Sequence, residues 1–182
     1  MEDLSLHILD IVENSITAGA NRVELRILED LGKDIFSIEI KDNGKGIRKD
    51  TLEKVTDPFY TTRKTRNVGL GLSLLAQSAK EADGNISIKS EEGIGTTIYV
   101  CFKHSHIDRK PFGNIADTLI VLISGNPDID FFYEHRMDEN LYSIDTGEIR
   151  PELEGVPINY PGVIELIKKD MQAGLEKIGL KY

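Results

Sequence analysis

The chain has 182 residues, enough for one domain with a real core or one domain plus an appendage. Its net charge of −9 and pI near 5.0 argue against general affinity for nucleic acid or for an anionic membrane surface. Cys101 is the sole cysteine, so no internal disulfide can form, and its place in the strand-like run TTIYVCF reads as that of a small buried hydrophobe. MEDLSLH lacks the basic-then-apolar pattern of a leader, and the longest apolar run, around Leu119 to Ile123, is too short to cross a bilayer. The expected location is cytoplasmic.

Residues 3 to 18 carry helical periodicity. Leu4, Ile8, Ile11, Val12 and Ile16 fall on one side, and His7, Asp10, Asn14 and Thr17 on the other. Ala18-Gly19-Ala20-Asn21 ends that helix. Val23, Leu25 and Ile27, then Phe36, Ile38 and Ile40, alternate with polar residues on either side of EDLGKD, which predicts a hairpin. KDNGKGI, residues 41 to 47, follows as a glycine-rich turn. A short helix is expected over 49–55 and a loop from Thr56 to Gly69, which holds the only tight basic cluster, Arg63, Lys64 and Arg66.

NVGLGLSLL opens a second long helix over 70–82, closed by Asp83-Gly84. Ile86 and Ile88 begin a third strand. GIGTT leads into a fourth, where Thr97, Tyr99 and Cys101 alternate with Ile98, Val100 and Phe102, so that both faces look buried. After KHSHIDRKPFG, read as a linker, IADTLIVLISGN predicts a helix. DIDFFYEHRM and NLYSID predict a hairpin around Asp138-Glu139, and PGVIELIKKDMQAGLEKIG an amphipathic helix with Val163, Ile164, Ile167 and Met171 on one side. His104, His106 and His135 read as exposed-loop or strand histidines, and His7 as a surface residue beside Asp10 and Asn14. No Cys or His spacing indicates zinc.

Helix, two strands, short helix, loop, helix and two strands make an α+β pattern, with a mixed sheet covered by helices on one face. The divisions are 1–103, a linker at 104–112, and a small α+β unit at 113–182. Glycines at 44 and 46 would let a flat ligand approach backbone, and Asp42 could accept from an exocyclic amine. Gly69 and Gly71 begin a helix whose amides suit phosphate.

Taken in order, the asparagine of the first helix, DNGKGI, DPFYTTR, GLGL and GIGTT resemble the GHKL superfamily of ATPases and kinases over residues 4 to 103. That group includes gyrase, MutL, the ninety-kilodalton heat-shock chaperone and bacterial histidine kinases. The resemblance implies the Bergerat fold, a two-layer α/β sandwich, here with a small C-terminal α+β appendage. It implies ATP with Mg2+, the metal on Asn14. Asp42 would bind the adenine amine, with Gly44, Gly46 and Ile47 around the base and Thr96 beside it. Phe59 belongs to DPFYTTR, which is similar to the phenylalanine box of histidine kinases. Thr61, Thr62, Arg63 and Lys64 fall in an expected lid over 60–68, and Gly69, Leu70, Gly71 and Leu72 in the second glycine box.

The sequence departs from the superfamily at three places. Asp10 stands where the ATPase branches place a catalytic glutamate, Thr17 where histidine kinases place a lysine, and Asn67 where a further glycine is usual. VENSITAGA is similar to MutL, whereas DPFYTTR and GLGLSLL are similar to kinases. No dimerising hairpin with a phosphoacceptor histidine is expected before residue 4. The function implied is hydrolysis of ATP, or transfer of its terminal phosphate to a partner protein, with Asp10 as base. The alternative is an anti-sigma-like module whose partner contacts are set by nucleotide. A protein partner, regulator or phosphoacceptor, is expected, no nucleic acid or membrane is, and a homodimer is left open.

Overall fold

The first helix, α1 (Leu4–Thr17), buries Leu4, Ile8, Ile11 and Val12 along one stripe, as their spacing requires. The computed structural model in which it stands describes residues 3–49 and 70–180. The Asp3 side chain caps α1 by accepting from Leu6 N–H. Two further amides at this end, Leu4 N–H and Ser5 N–H, donate to the carbonyls of Pro111 and Phe112 at 3.0 and 2.9 Å. The segment read as a linker therefore closes the base of the first helix.

Strands β1 (Arg22–Asp30) and β2 (Ile35–Asp42) form the expected hairpin, in register from Val23 opposite Asp42 to Asp30 opposite Ile35. Helix α2 (Leu70–Glu81) packs on α1 and leads into β3 (Asn85–Glu91) and β4 (Gly95–Lys103). Then come α3 (Ile115–Gly125), the hairpin β5 (Asp130–Met137) and β6 (Asn140–Asp145), a short α4 (Thr146–Glu152), and α5 (Pro161–Lys177). The short helix expected over 49–55 lies outside the described residues from residue 50 on, as does the loop that follows it.

One six-stranded sheet results, in the order β3-β4-β2-β1-β5-β6. Every pairing is antiparallel except β1 with β5, which run parallel over the whole length from Arg22 opposite Asp130 to Glu29 opposite Met137. The sheet is therefore mixed. Val23, Leu25, Ile27, Phe36, Ile38, Ile40, Val100 and Phe131 point from it into a core shared with the apolar stripes of the helices. α3 packs against α1 and α5, and α5 against β6, so the C-terminal α+β part is laid along the same sheet.

The other face of the sheet carries no helix among the described residues. It holds an ion-pair ladder instead. Arg26 bridges Glu24 and Glu39 at 2.7 and 3.3 Å, Arg22 reaches Asp145 at 2.7 Å, and the Arg26 guanidinium lies over the Phe132 ring. These half-exposed pairs each contribute about 1 kcal/mol or less. β4 is accordingly buried on one face only. Tyr99 is 37% exposed and Cys101 half-buried, donating its thiol to Asn85 Oδ1, because the uncovered face is theirs.

His135 departs further from its expected exposure. It shares the inward register of Phe131 and Tyr133 on β5 and is 0% exposed. Its Nε2 lies 3.0 Å from Glu29 Oε1, its Nδ1 2.7 Å from the Tyr133 hydroxyl, and His104 Nε2 sits 2.7 Å from the other oxygen of Glu29. His7 is buried as well, beside Lys110 at 3.1 Å.

Burial alone would raise the pKa of Glu29. The hydrogen bonds from His135 and His104 outweigh it and hold the carboxyl below its ordinary value. A depressed folded pKa contributes stability above the unfolded value, about 4.3, which is lost as pH falls through the folded one. Urea titrations between about pH 5 and pH 3 should show the wild-type midpoint falling more steeply than that of Glu29→Gln. Parallel pH profiles would contradict this account.

Candidate functional site

The core-facing row at one end of the sheet is polar. Asp42 ends β2, opposite Thr96 on β4, which lies opposite Ser90 on β3. The Asp42 carboxylate is 8% exposed and held from two sides. Ser15 of α1 donates its hydroxyl to Oδ2 at 2.7 Å, and Gly44 donates its amide to Oδ1 at 2.9 Å.

The turn after Asp42 is stitched to its surroundings by backbone. Asn43 Oδ1 accepts from the amides of Asn21 and Arg22, both at 3.0 Å. Lys45 N–H donates to Ala18 O at the end of α1, and Lys45 O accepts from Gly93 N–H in the β3–β4 turn. Gly46 has φ +69°, and a β-carbon there would overlap the carbonyl of Glu91, so only glycine fits both backbone angle and space. Ile47 N–H donates to Ser90 Oγ at 2.8 Å.

The second half of the site lies on the polar side of α1. Asp10 is exposed, and Asn14 turns its Nδ2 back to Asp10 O at 2.8 Å. That bond uses the amide nitrogen and leaves Oδ1, the atom a hard cation takes. Gly71, in the first turn of α2, faces Asp10. A β-carbon on it would stand 2.6 Å from Asp10 Cβ and 3.0 Å from Oδ2, so the glycine lets the start of α2 approach the carboxylate. Leu72, one residue on, is buried in the core.

Of the residues expected at the site, Asp42, Gly44, Gly46, Ile47 and Thr96 therefore form one cluster, and Asp10, Asn14 and Gly71 another. They meet through α1, where Ser15 follows Asn14 and holds Asp42. Phe59, Thr61, Thr62, Arg63, Lys64 and Gly69, with the expected lid, lie outside the described residues.

Ser15 and Ser90 were not singled out by motif. Both were findable, because each is a polar residue in an apolar register. Ser15 follows Ile11 and Val12 on the buried side of α1, and Ser90 extends the Ile86, Ile88 alternation. A groove of about 350 Å3 also opens at this end of the sheet, lined by Lys41, Lys89 and Thr97 among others. Asp42, Ser90 and Thr96, which alternate with those three along their strands, line it as well, so the groove touches both the uncovered face and the cluster under α1.

A family model described as histidine kinase-, DNA gyrase B-, and HSP90-like ATPase matches residues 2–106. Sporulation kinase E of Bacillus subtilis (strain 168) is 34% identical over 93 residues, 50% of this chain and 12% of that protein. Sensor protein kinase WalK of Staphylococcus haemolyticus (strain JCSC1435) is 32% identical over 106 residues, 54% of this chain and 17% of the other. The chain thus matches only a small part of each of these kinases. Among solved structures, the N-terminal domain of a DNA repair protein aligns with TM-score 0.51 and 21% identity, covering 79% of this chain and 52% of that one, a likeness of fold. With more than half its length matched by that family model, the chain belongs to the histidine kinase-, DNA gyrase B-, and HSP90-like ATPases.

Proposed function

We propose that this chain binds ATP with magnesium and either hydrolyses it or passes its terminal phosphate to a partner protein. The observation that carries the reading is Asp42. A nearly buried carboxylate fixed by a serine hydroxyl and a glycine amide, in a turn pressed against other backbone, is built to receive one hydrogen-bond donor on a flat ligand. The exocyclic amine of adenine is such a donor. Thr96, beside it in register, completes that end.

The phosphates would lie toward α1 and the positive end of α2, where the amides of Gly69, Leu70, Gly71 and Leu72 would receive them. Arg63 and Lys64, with Thr61, Thr62 and Phe59, would close over them. Asn14 Oδ1 suits an ion that prefers oxygen and keeps much of its shell from water and phosphate. Magnesium, when bound, neutralises charge on the terminal phosphate. Asp10 takes the proton from the attacking water or hydroxyl, its side chain reaching out one turn before Asn14. The partner is a regulator or phosphoacceptor protein.

The test is incubation with ATP labelled at the terminal phosphate, with and without magnesium. Released phosphate identifies a hydrolase, and label on protein identifies a kinase. Asp10→Asn keeps the shape that packs on Gly71, so nucleotide binding should persist while turnover falls about 10²- to 10⁴-fold. Unchanged turnover in that variant removes Asp10 as base. Absence of ATP binding by the wild-type chain removes the whole reading.

A further inference from the structure

Ser90 Oγ is the meeting point of three contacts. It accepts from Ile47 N–H at 2.8 Å, and it lies 3.0 Å from Gly95 O and 2.8 Å from Thr96 Oγ1. Its single hydroxyl proton has two neighbours able to accept it. Sent to Thr96, it would leave Gly95 O without this bond and the Thr96 proton in need of another acceptor. Sent to Gly95 O, it frees Ser90 Oγ to accept from Thr96, and both hydroxyl protons are used. Thr96 is 8% exposed, where an unused proton is costly, so the second arrangement wins.

The consequence lies at the ligand. With its proton turned to Ser90, Thr96 presents only lone pairs. Asp42, its neighbour in register, presents carboxylate oxygens whose positions are set by Ser15 and Gly44. The two side chains at the base end thus offer acceptors side by side and no donor. We propose that Ser90 is a positioning residue for base selection: by holding the Thr96 proton it makes Thr96 and Asp42 an acceptor pair that takes an exocyclic amine and rejects a carbonyl in the same place. Adenine nucleotides pass this filter, and guanine nucleotides, which carry a carbonyl at that ring position, do not. The inference rests on the nucleotide-binding reading above.

The test is calorimetric titration of the full chain with ATP and with GTP. Ser90→Ala frees the Thr96 hydroxyl to rotate and donate, so ATP should bind more weakly while GTP gains, and the preference for ATP should fall about tenfold or more. Ser90→Thr, which keeps the hydroxyl, should keep the wild-type preference. In a Thr96→Val background, adding Ser90→Ala should leave the ATP-to-GTP ratio unchanged, as a double-mutant cycle requires. Ser90→Cys, which accepts a proton poorly, carries the expectation of Ser90→Ala should that variant not fold. If Ser90→Ala weakens both nucleotides by the same factor, the serine merely braces the Ile47 turn and the inference is overturned, with ATP binding itself intact. A wild-type chain that binds neither nucleotide overturns the inference together with the reading beneath it.

Discussion

Asp42→Asn should bind ATP roughly a hundredfold more weakly than the wild-type chain while remaining folded. The substitution preserves shape and inverts one hydrogen-bonding edge. Gly44 N–H needs an acceptor, so the amide oxygen must stay on that side. The amide nitrogen then faces Ser15, which can accept from it by swinging its own proton to Ile11 O, already 3.3 Å away. The protein thus has a relaxed way to accommodate the change, and its stability should fall by about 1–2 kcal/mol at most. The ligand has none. Where two carboxylate oxygens could receive an amine, an N–H now points at it. Losing a charge-assisted bond worth about 1.5–3 kcal/mol and gaining a donor–donor conflict accounts for the expected factor. Calorimetry measures the affinity and urea unfolding the fold. Wild-type affinity in a folded variant would take Asp42 out of the site.

The second large effect is on folding. Ending the chain at Ile107 should leave a fragment with no cooperative unfolding transition, whereas the full chain should unfold in one. The fragment loses β5, the parallel partner of β1 along its whole length. It loses Ile115, Leu119, Leu122, Phe131 and Tyr133 from the core, and Phe112, whose ring stands edge-on to Phe36 at 5.3 Å. Glu29 loses His135, and the first amides of α1 lose Pro111 and Phe112. A buried large side chain removed from a core costs about 2–5 kcal/mol, and a whole domain commands about 5–15 kcal/mol. A few of these losses suffice. Circular dichroism with urea titration of both chains decides it. A cooperative transition in the fragment would make residues 1–107 an independent unit.

Local pattern carried much of the architecture. The spacing of Leu4, Ile8, Ile11 and Val12 defines α1, and the alternation about EDLGKD defines the first hairpin. The second hairpin was equally legible, but its place was not. DIDFFYEHRM says that one face of β5 is apolar, and nothing local says that β1 receives it in parallel, since partner choice is a property of the assembled sheet. Local pattern does not announce helix α4, because Gly147 and Pro151 are both poor helix formers. Asp145 nevertheless caps it through Gly147 N–H, and seven residues suffice for a turn that ends near the proline. In the candidate site, motif order singles out Asp42, Gly46 and Asn14. It could not supply Ser15 and Ser90, whose importance lies in which atoms their hydroxyls reach across the sheet.

The parallel pairing of β1 with β5 also sets a timetable for synthesis. β2 leaves the ribosome directly after β1 and can pair at once, but β5 follows about a hundred residues later. At 5–20 residues per second, the outer edge of β1 waits roughly 5–20 s with its amides and carbonyls unpaired. The first helix waits too, because the carbonyls that complete its base belong to residues 111 and 112. The earliest-made part of the candidate site is thus among the last to be closed. A nascent chain stalled before residue 130 would present an open strand edge, and it is there that chaperone capture or misassembly should concentrate.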